Sequence, residues 1–164
     1  MTNIRPLKSD EGMLLKRLRL AALKDSPNSF TPTFEEISLH GDDFWHDTAR
    51  QIAENPQLEV FVADDAGEGV GLVSGEVDDE GVGHIVAMWA SPVVRGKGVG
   101  RLLMNAVTEF LRDNDCDRIE LSVTETNQVA INLYKSMGFV FTGQEVPLRE
   151  GSDLMNLTMA RAEV

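Results

Sequence analysis

Apolar residues recur along this chain with two different spacings, and the switches between them mark its elements. Runs that are apolar throughout, or that alternate with polar residues, occupy residues 2–7, 58–63, 70–77, 82–90, 119–123, 139–144 and 154–160. Their lengths and their Gly, Asp and Pro boundaries predict strands, with hairpin turns at 64–68 and 78–81. Helical spacing takes over elsewhere. Leu14, Leu18 and Ala21 predict a helix over 10–24 with carboxylates in its first turn. A loop with Pro27 and Pro32 follows, and then a second helical region over 34–54, interrupted near Gly41. From Val99 onward, Leu102, Leu103, Ala106, Val107, Phe110 and Leu111 keep the rhythm of one helical face. Residues 128–137 predict a further helix, with Asn127 as N-cap and Gly138 just past its end. The order β-α-α-β-β-β-α-β-α-β-β, free of linkers and repeats, predicts a mixed sheet with helices on both faces, an α/β (α+β) architecture.

Composition narrows the partners. A length of 164 residues with 42% hydrophobic and 26% charged positions suits one domain with a real core. A net charge of −12 argues against nucleic acid, whose phosphates need clustered Lys and Arg. No run approaches the roughly 20 apolar residues of a membrane span, and the first residues lack the apolar core of a secretory signal. The lone Cys116 excludes an internal disulfide and fits a cytoplasmic protein. With no neighbouring Cys or His it reads as a small buried hydrophobe rather than a nucleophile, and nothing suggests a metal site.

Residues 88–103 carry the strongest chemical signal: Met-Trp-Ala-Ser-Pro-Val-Val-Arg-Gly-Lys-Gly-Val-Gly-Arg-Leu-Leu. Gly96, Gly98 and Gly100 stand between a strand and a helix, with Arg95, Lys97 and Arg101 among them. Main-chain N–H groups turned toward an anion at a helix N-terminus would require this. A P-loop is excluded, because Lys97 is followed by Gly98 instead of a hydroxyl residue. A dinucleotide fingerprint is excluded too, because its third glycine would fall on Arg101 or Leu103.

What remains, Arg95-x-x-Gly98-x-Gly100 with Pro92 before it and Leu102-Leu103 after it, resembles the acyl-CoA loop of the GCN5-related N-acetyltransferase (GNAT) superfamily. A second signature follows in the right order: Asn127-x-x-Ala130-x-x-Leu133-Tyr134-x-x-x-Gly138-Phe139. The resemblance implies the GNAT fold, with about seven strands and about four helices, in a single acyl-CoA N-acyltransferase domain over residues 1–164. It implies that Arg95, Gly96, Lys97, Gly98, Val99, Gly100 and Arg101 hold the pyrophosphate of acetyl-CoA. It implies that the main chain of Met88, Trp89 and Ala90 lies along the pantetheine arm, with their side chains free to be core. Asn127 would contact the same arm, act as a plain N-cap, or both. Tyr134 would protonate the departing thiolate, with a buried core tyrosine as the alternative.

The implied activity is transfer of an acetyl group to a primary amine, by direct attack in a ternary complex and without a metal. A non-catalytic acyl-CoA-binding regulatory module on the same fold is the alternative. Family members that act on protein N-termini carry a glutamate where this chain has Ser122. Glu76, near the end of the third strand, is therefore the first candidate base, followed by Glu120 and His84, with a chain of waters as the remaining route. The acceptor would be shaped by residues 24–46 and 143–153, where Phe30, Phe34, Glu35, Phe44 and Trp45 are either pocket walls or core. The analogy also suggests a homodimer, leaves small amines, amino acids, antibiotics and peptide N-termini open as acceptors, and has neither nucleic acid nor membrane as partner.

Overall fold

The computed structural model describes residues 1–163. Its elements are β1 (Thr2–Pro6), α1 (Gly12–Asp25), α2 (Phe34–Ser38), α3 (Asp42–Glu54), β2 (Leu58–Asp65), β3 (Glu68–Val77), β4 (Gly83–Ala90), α4 (Val99–Asp113), β5 (Arg118–Thr124), α5 (Gln128–Ser136), β6 (Val140–Pro147) and β7 (Met155–Ala162). A 3-10 turn, Pro92–Val94, links β4 to the glycine loop. No helix among the described residues is long and apolar enough to cross a membrane.

The expected mixed sheet is present, but with five α-helices instead of four. The region over 34–54 splits because one helix ends at Ser38 with Leu39 as its C-cap and extended Gly41 caps the next. Thr33 starts the first piece by accepting the Glu36 N–H at 3.2 Å. The first long helix also begins later than its carboxylates suggested. Glu11 stays outside it, where Arg5 holds both of its carboxylate oxygens at 2.9 Å and the Lys8 N–H donates at 2.8 Å. Its buried stripe becomes Leu15, Leu18, Ala22 and Leu23, while Leu14 and Ala21 are only partly covered.

The seven strands lie in the order β1-β2-β3-β4-β5-β7-β6. All neighbours run antiparallel except β4 and β5. One face packs on α4 and α5, burying Val73, Leu103, Val107, Ile119 and Met159. The other packs on α1 and α3, burying Leu18, Trp45, Val62, Leu72 and Trp89. Along α4 the covered stripe is Val99, Leu103, Met104, Val107, Thr108 and Leu111. Leu102, expected on that face, is 42% exposed, one step past its edge.

The parallel contact between β4 and β5 is short, running only from Gly83↔Ile119 to Ile85↔Leu121. Beyond it, β4 stays with β3 as far as Ala90↔Gly71, and β5 stays with β7 as far as Thr124↔Asn156. A bulge lies where they part. Leu72 faces Trp89 and Ser74 faces Val86, so Val73 alone opposes Ala87 and Met88. Ala87 takes a positive φ of 56°, a conformation uncommon for a residue with a Cβ. The divergence opens the middle of the sheet and leaves one edge of β4 without a strand partner.

Candidate functional site

A cavity of about 610 Å³ occupies this opening on the α4–α5 side. From β4 come Met88, Trp89 and Ala90; from the loop and α4 come Arg95, Gly96, Gly98, Val99, Gly100 and Arg101. Gly96 and Gly98 sit at φ 77° and 81°, the left-handed region that admits glycine freely. Gly98 thereby caps α4, whose first free N–H groups turn toward the cavity. Among the described residues no backbone acceptor meets the N–H of Gly98, Val99, Gly100 or Arg101. Gly100 serves a different end: a Cβ there would stand 3.3 Å from Leu133 Cδ2 and 3.6 Å from Met88 Cε. Its smallness lets α4 close on α5 and β4. The result is a cradle of unpaired N–H groups at the positive end of a long helix, suited to a phosphate group.

The charged side chains of the loop are less committed to that cradle than their clustering suggested. Arg95 lines the cavity, but its Nε donates to the Ala90 carbonyl at 3.1 Å and its Nη2 donates to Asp25. Asp25 also accepts Trp89 Nε1 at 3.0 Å and the Ser26 hydroxyl at 2.7 Å. Burial pushes the Asp25 carboxyl up, yet the hydrogen bonds from Trp89, Ser26 and Arg95 outweigh it and hold the group below its ordinary range. Arg101 reaches the Ser136 hydroxyl at 2.7 Å. Lys97 is exposed and does not line the cavity. The indole of Trp89 belongs to the α1–α3 core, so only its main chain faces the opening.

Asn127 does two things at once. Its Oδ1 accepts the Ala130 N–H at 3.3 Å, capping α5, and its Nδ2 donates to Ser29 Oγ at 3.4 Å from the cavity wall. Tyr134 is 6% exposed and lines the same cavity, with its ring edge-to-face on Phe139 at 6.3 Å. Burial raises its pKa to about 12, so the phenol keeps its proton throughout the neutral range. Among the described residues no protein group hydrogen-bonds its hydroxyl.

A second cavity of about 500 Å³ opens on the opposite side of the sheet. It shares Ser29, Phe30, Ile85, Val86, Ala87, Leu121 and Ser122 with the first. The two spaces therefore meet at the bulge. His84 and Glu120 line the second cavity; Glu76 lines neither and is exposed. Glu76 does stand beside His84 in the β3–β4 register, and His84 beside Glu120 across β4–β5. It is the outermost of the three, on the far side of His84 from the opening. His84 Nε2 lies 2.8 Å from Asp78 Oδ2, and Glu120 accepts from Arg118 Nε at 2.7 Å.

Of the residues expected near the acceptor, Phe30 alone lines a cavity; Trp45 is core with Phe34 packed against it, Phe44 stacks on His40 at 3.8 Å, and Glu35 is exposed. Sequence reasoning missed the loop's anchors. Arg149 donates to the carbonyls of Pro27 at 2.8 Å, Phe30 at 2.7 Å and Thr31 at 3.1 Å. Thr124 Oγ1 donates to Asn28 O at 2.7 Å. Together they strap residues 26–33 across both openings.

Known proteins resemble this chain in sequence and in fold. A streptothricin acetyltransferase of Streptomyces lavendulae is 29% identical over 157 residues, covering 80% of this chain and 82% of that one. A mycothiol acetyltransferase of Thermobispora bispora is 30% identical over 82% of this chain, but the match spans only 44% of that longer protein. The crystal structure of a GNAT-family acetyltransferase from Streptococcus pneumoniae superposes with a TM-score of 0.84 over all of both chains at 20% identity, a likeness of fold. Residues 20–139 match the profile described as the acetyltransferase (GNAT) family. With the diverging strands, the N–H cradle and this match together, the chain belongs to the acetyltransferase (GNAT) family.

Proposed function

We propose that residues 1–164 act as one acyl-CoA N-acyltransferase domain that moves an acetyl group from acetyl-CoA to a primary amine, by direct attack in a ternary complex. The observation that carries this reading is the meeting of two cavities at Ala87 and Ser122, one bordered by the glycine loop and the unpaired edge of β4, the other by residues of α1, the 26–33 loop and β7. Relatives named streptothricin acetyltransferase and mycothiol acetyltransferase support acetyl as the group moved.

The unpaired N–H groups of residues 98–101 receive the pyrophosphate, and the open edge of β4 receives the pantetheine amides as a further strand would. Acetyl-CoA supplies an activated thioester. The main chain around the Ala87 bulge polarises its carbonyl and stabilises the oxyanion as the amine attacks. His84 is the base this geometry favours over Glu76. Its Nε2–H donates to Asp78, which leaves Nδ1 able to accept the proton of the amine, directly or through water. The Tyr134 phenol then protonates the departing thiolate. Cys116 lies in the main core, 3% exposed, and burial pushes its thiol up; it lines neither cavity, in keeping with transfer that forms no covalent enzyme intermediate. Holding both substrates in attack geometry supplies much of the acceleration.

Release of CoA thiol across a panel of primary amines tests the reading. Turnover on at least one amine is expected. Replacing Tyr134 with Phe should lower kcat on the order of a hundredfold while CoA affinity, read by calorimetry, stays put. CoA binding without turnover on any amine would overturn the transferase assignment, and an unchanged kcat in the variant would remove Tyr134 from the acid role.

A further inference from the structure

Arg19, on α1, is a half-buried residue whose guanidinium borders the second cavity. Every other arginine of the chain donates to a protein acceptor: carboxylates for Arg5, Arg50, Arg95, Arg112, Arg118 and Arg161, a hydroxyl for Arg101, and carbonyls for Arg17 and Arg149. Among the described residues Arg19 donates to none. Its guanidinium lies over the face of Phe30, 5.9 Å from the guanidinium carbon to the ring centre. Burial lowers its pKa, the direction expected of a cation moved out of water without a counter-charge. A guanidinium has five donors and no way to shed its charge, so leaving it unpaired there costs stability. Such a cost is the signature of a site shaped for something else.

The other charged groups facing this space are already committed. Glu120 is bound by Arg118, and His84 by Asp78. Arg19 therefore supplies the one uncompensated charge of the second cavity among the described residues. We propose that this cavity selects acceptors carrying a carboxylate beside their amine, and that Arg19 receives that carboxylate. The proposal rests on the transferase reading and names its substrate class: free amino acids, as distinct from peptide N-termini, in which that carboxylate has become an amide. One cation matches a monoanion, and the planar fork of a guanidinium matches two carboxylate oxygens. The apolar wall of Phe30, Pro32 and Leu148 suits an apolar side chain. With its carboxylate on Arg19, the acceptor occupies the same space that opens at Ala87 and Ser122, where its amine meets the thioester.

The test pairs amino acids with their carboxamides, leucine with leucinamide and phenylalanine with phenylalaninamide. Binding to the CoA-loaded protein is read by calorimetry below neutral pH, where every amine is an ammonium, and turnover is read by thiol release. The acid should bind about tenfold more tightly than the amide, as a charged hydrogen-bonded pair implies. Arg19→Met should erase that preference without altering CoA affinity, and Arg19→Lys should restore part of it. Equal binding of acid and amide, binding of neither, or a preference that survives Arg19→Met would each overturn the proposal. Should Arg19→Met fail to fold, the wild-type comparison and Arg19→Lys decide the matter. Acid-selective binding without turnover, here and across the amine panel, would leave the carboxylate site standing and sink the transferase reading; turnover without acid preference would do the reverse.

Discussion

The two cavities that meet at the Ala87 bulge are built from different materials. The first takes in an unpaired strand edge, free helix N–H groups and two left-handed glycines, beside the side chains of Asn127 and Tyr134. The second has no glycine among the described residues of its wall, which come from α1, the 26–33 loop, three strands and the turn before β7. Backbone offers one fixed chemistry, suited to the invariant parts of a donor such as pyrophosphate and amides. Side chains can be exchanged one at a time without moving the sheet. The division places constancy on one side of the sheet and choice on the other.

Three substitutions probe that division. The largest effect is expected at Arg149, which clamps three carbonyls of the strap. Arg149→Met should cost about 1.5–3 kcal/mol of stability, the worth of charged hydrogen bonds. It should also raise the acceptor KM more than it weakens CoA binding. A donor-side loss larger than the acceptor-side one would blur the comparison. Next comes Gly98→Val, which puts a β-branched side chain at φ 81° and costs roughly 1–2 kcal/mol. CoA affinity should fall about tenfold while the acceptor KM holds. Normal CoA affinity in a folded variant would show that the cradle is not where the donor binds.

The smallest effect concerns Asp25, which ties α1 to Trp89 and Arg95. Its carboxyl is held below the ordinary range, so its stabilisation is present above pH ~4 and is lost as pH falls through the depressed value. Asp25→Asn should lower stability at neutral pH by roughly 1 kcal/mol or less, because Arg95 is half exposed. It should also flatten part of the acid-induced decline in Tm. Parallel declines for wild type and variant, measured by scanning calorimetry across that range, would remove Asp25 as an anchor.

The same division explains what could be read from the sequence. A backbone site imposes residue types on its own segment, so Gly96, Gly98, Gly100 and the cap Asn127 stand out within short windows. The strands and their order along the chain were legible for the same reason, since each strand carries its own period, whereas the place of β7 between β5 and β6 is set by pairing and was not. The second cavity left no comparable mark. Arg19 looks like any arginine on a helix, and Arg149 lies far in sequence from the loop it holds. Ala87 has a left-handed backbone without a glycine to announce it. Glu76 drew attention as a carboxylate at a strand end, but only the register shows that His84 stands between it and the opening. Leu102 and Leu14 missed their faces by one step of helical phase, which a real helix settles by packing.

Ser29 and Phe30 border both spaces, and Arg149, Thr124 and Asn127 hold the loop that carries them. Thermodynamic linkage gives this shared wall a consequence. Any free-energy difference that donor binding imposes on the wall is returned, with the same sign and size, when the acceptor binds first. Order of addition then has no effect on the total affinity of the ternary complex. On the proposed assignment of donor and acceptor to these spaces, the two substrates would report on each other through a segment that takes no part in the chemistry.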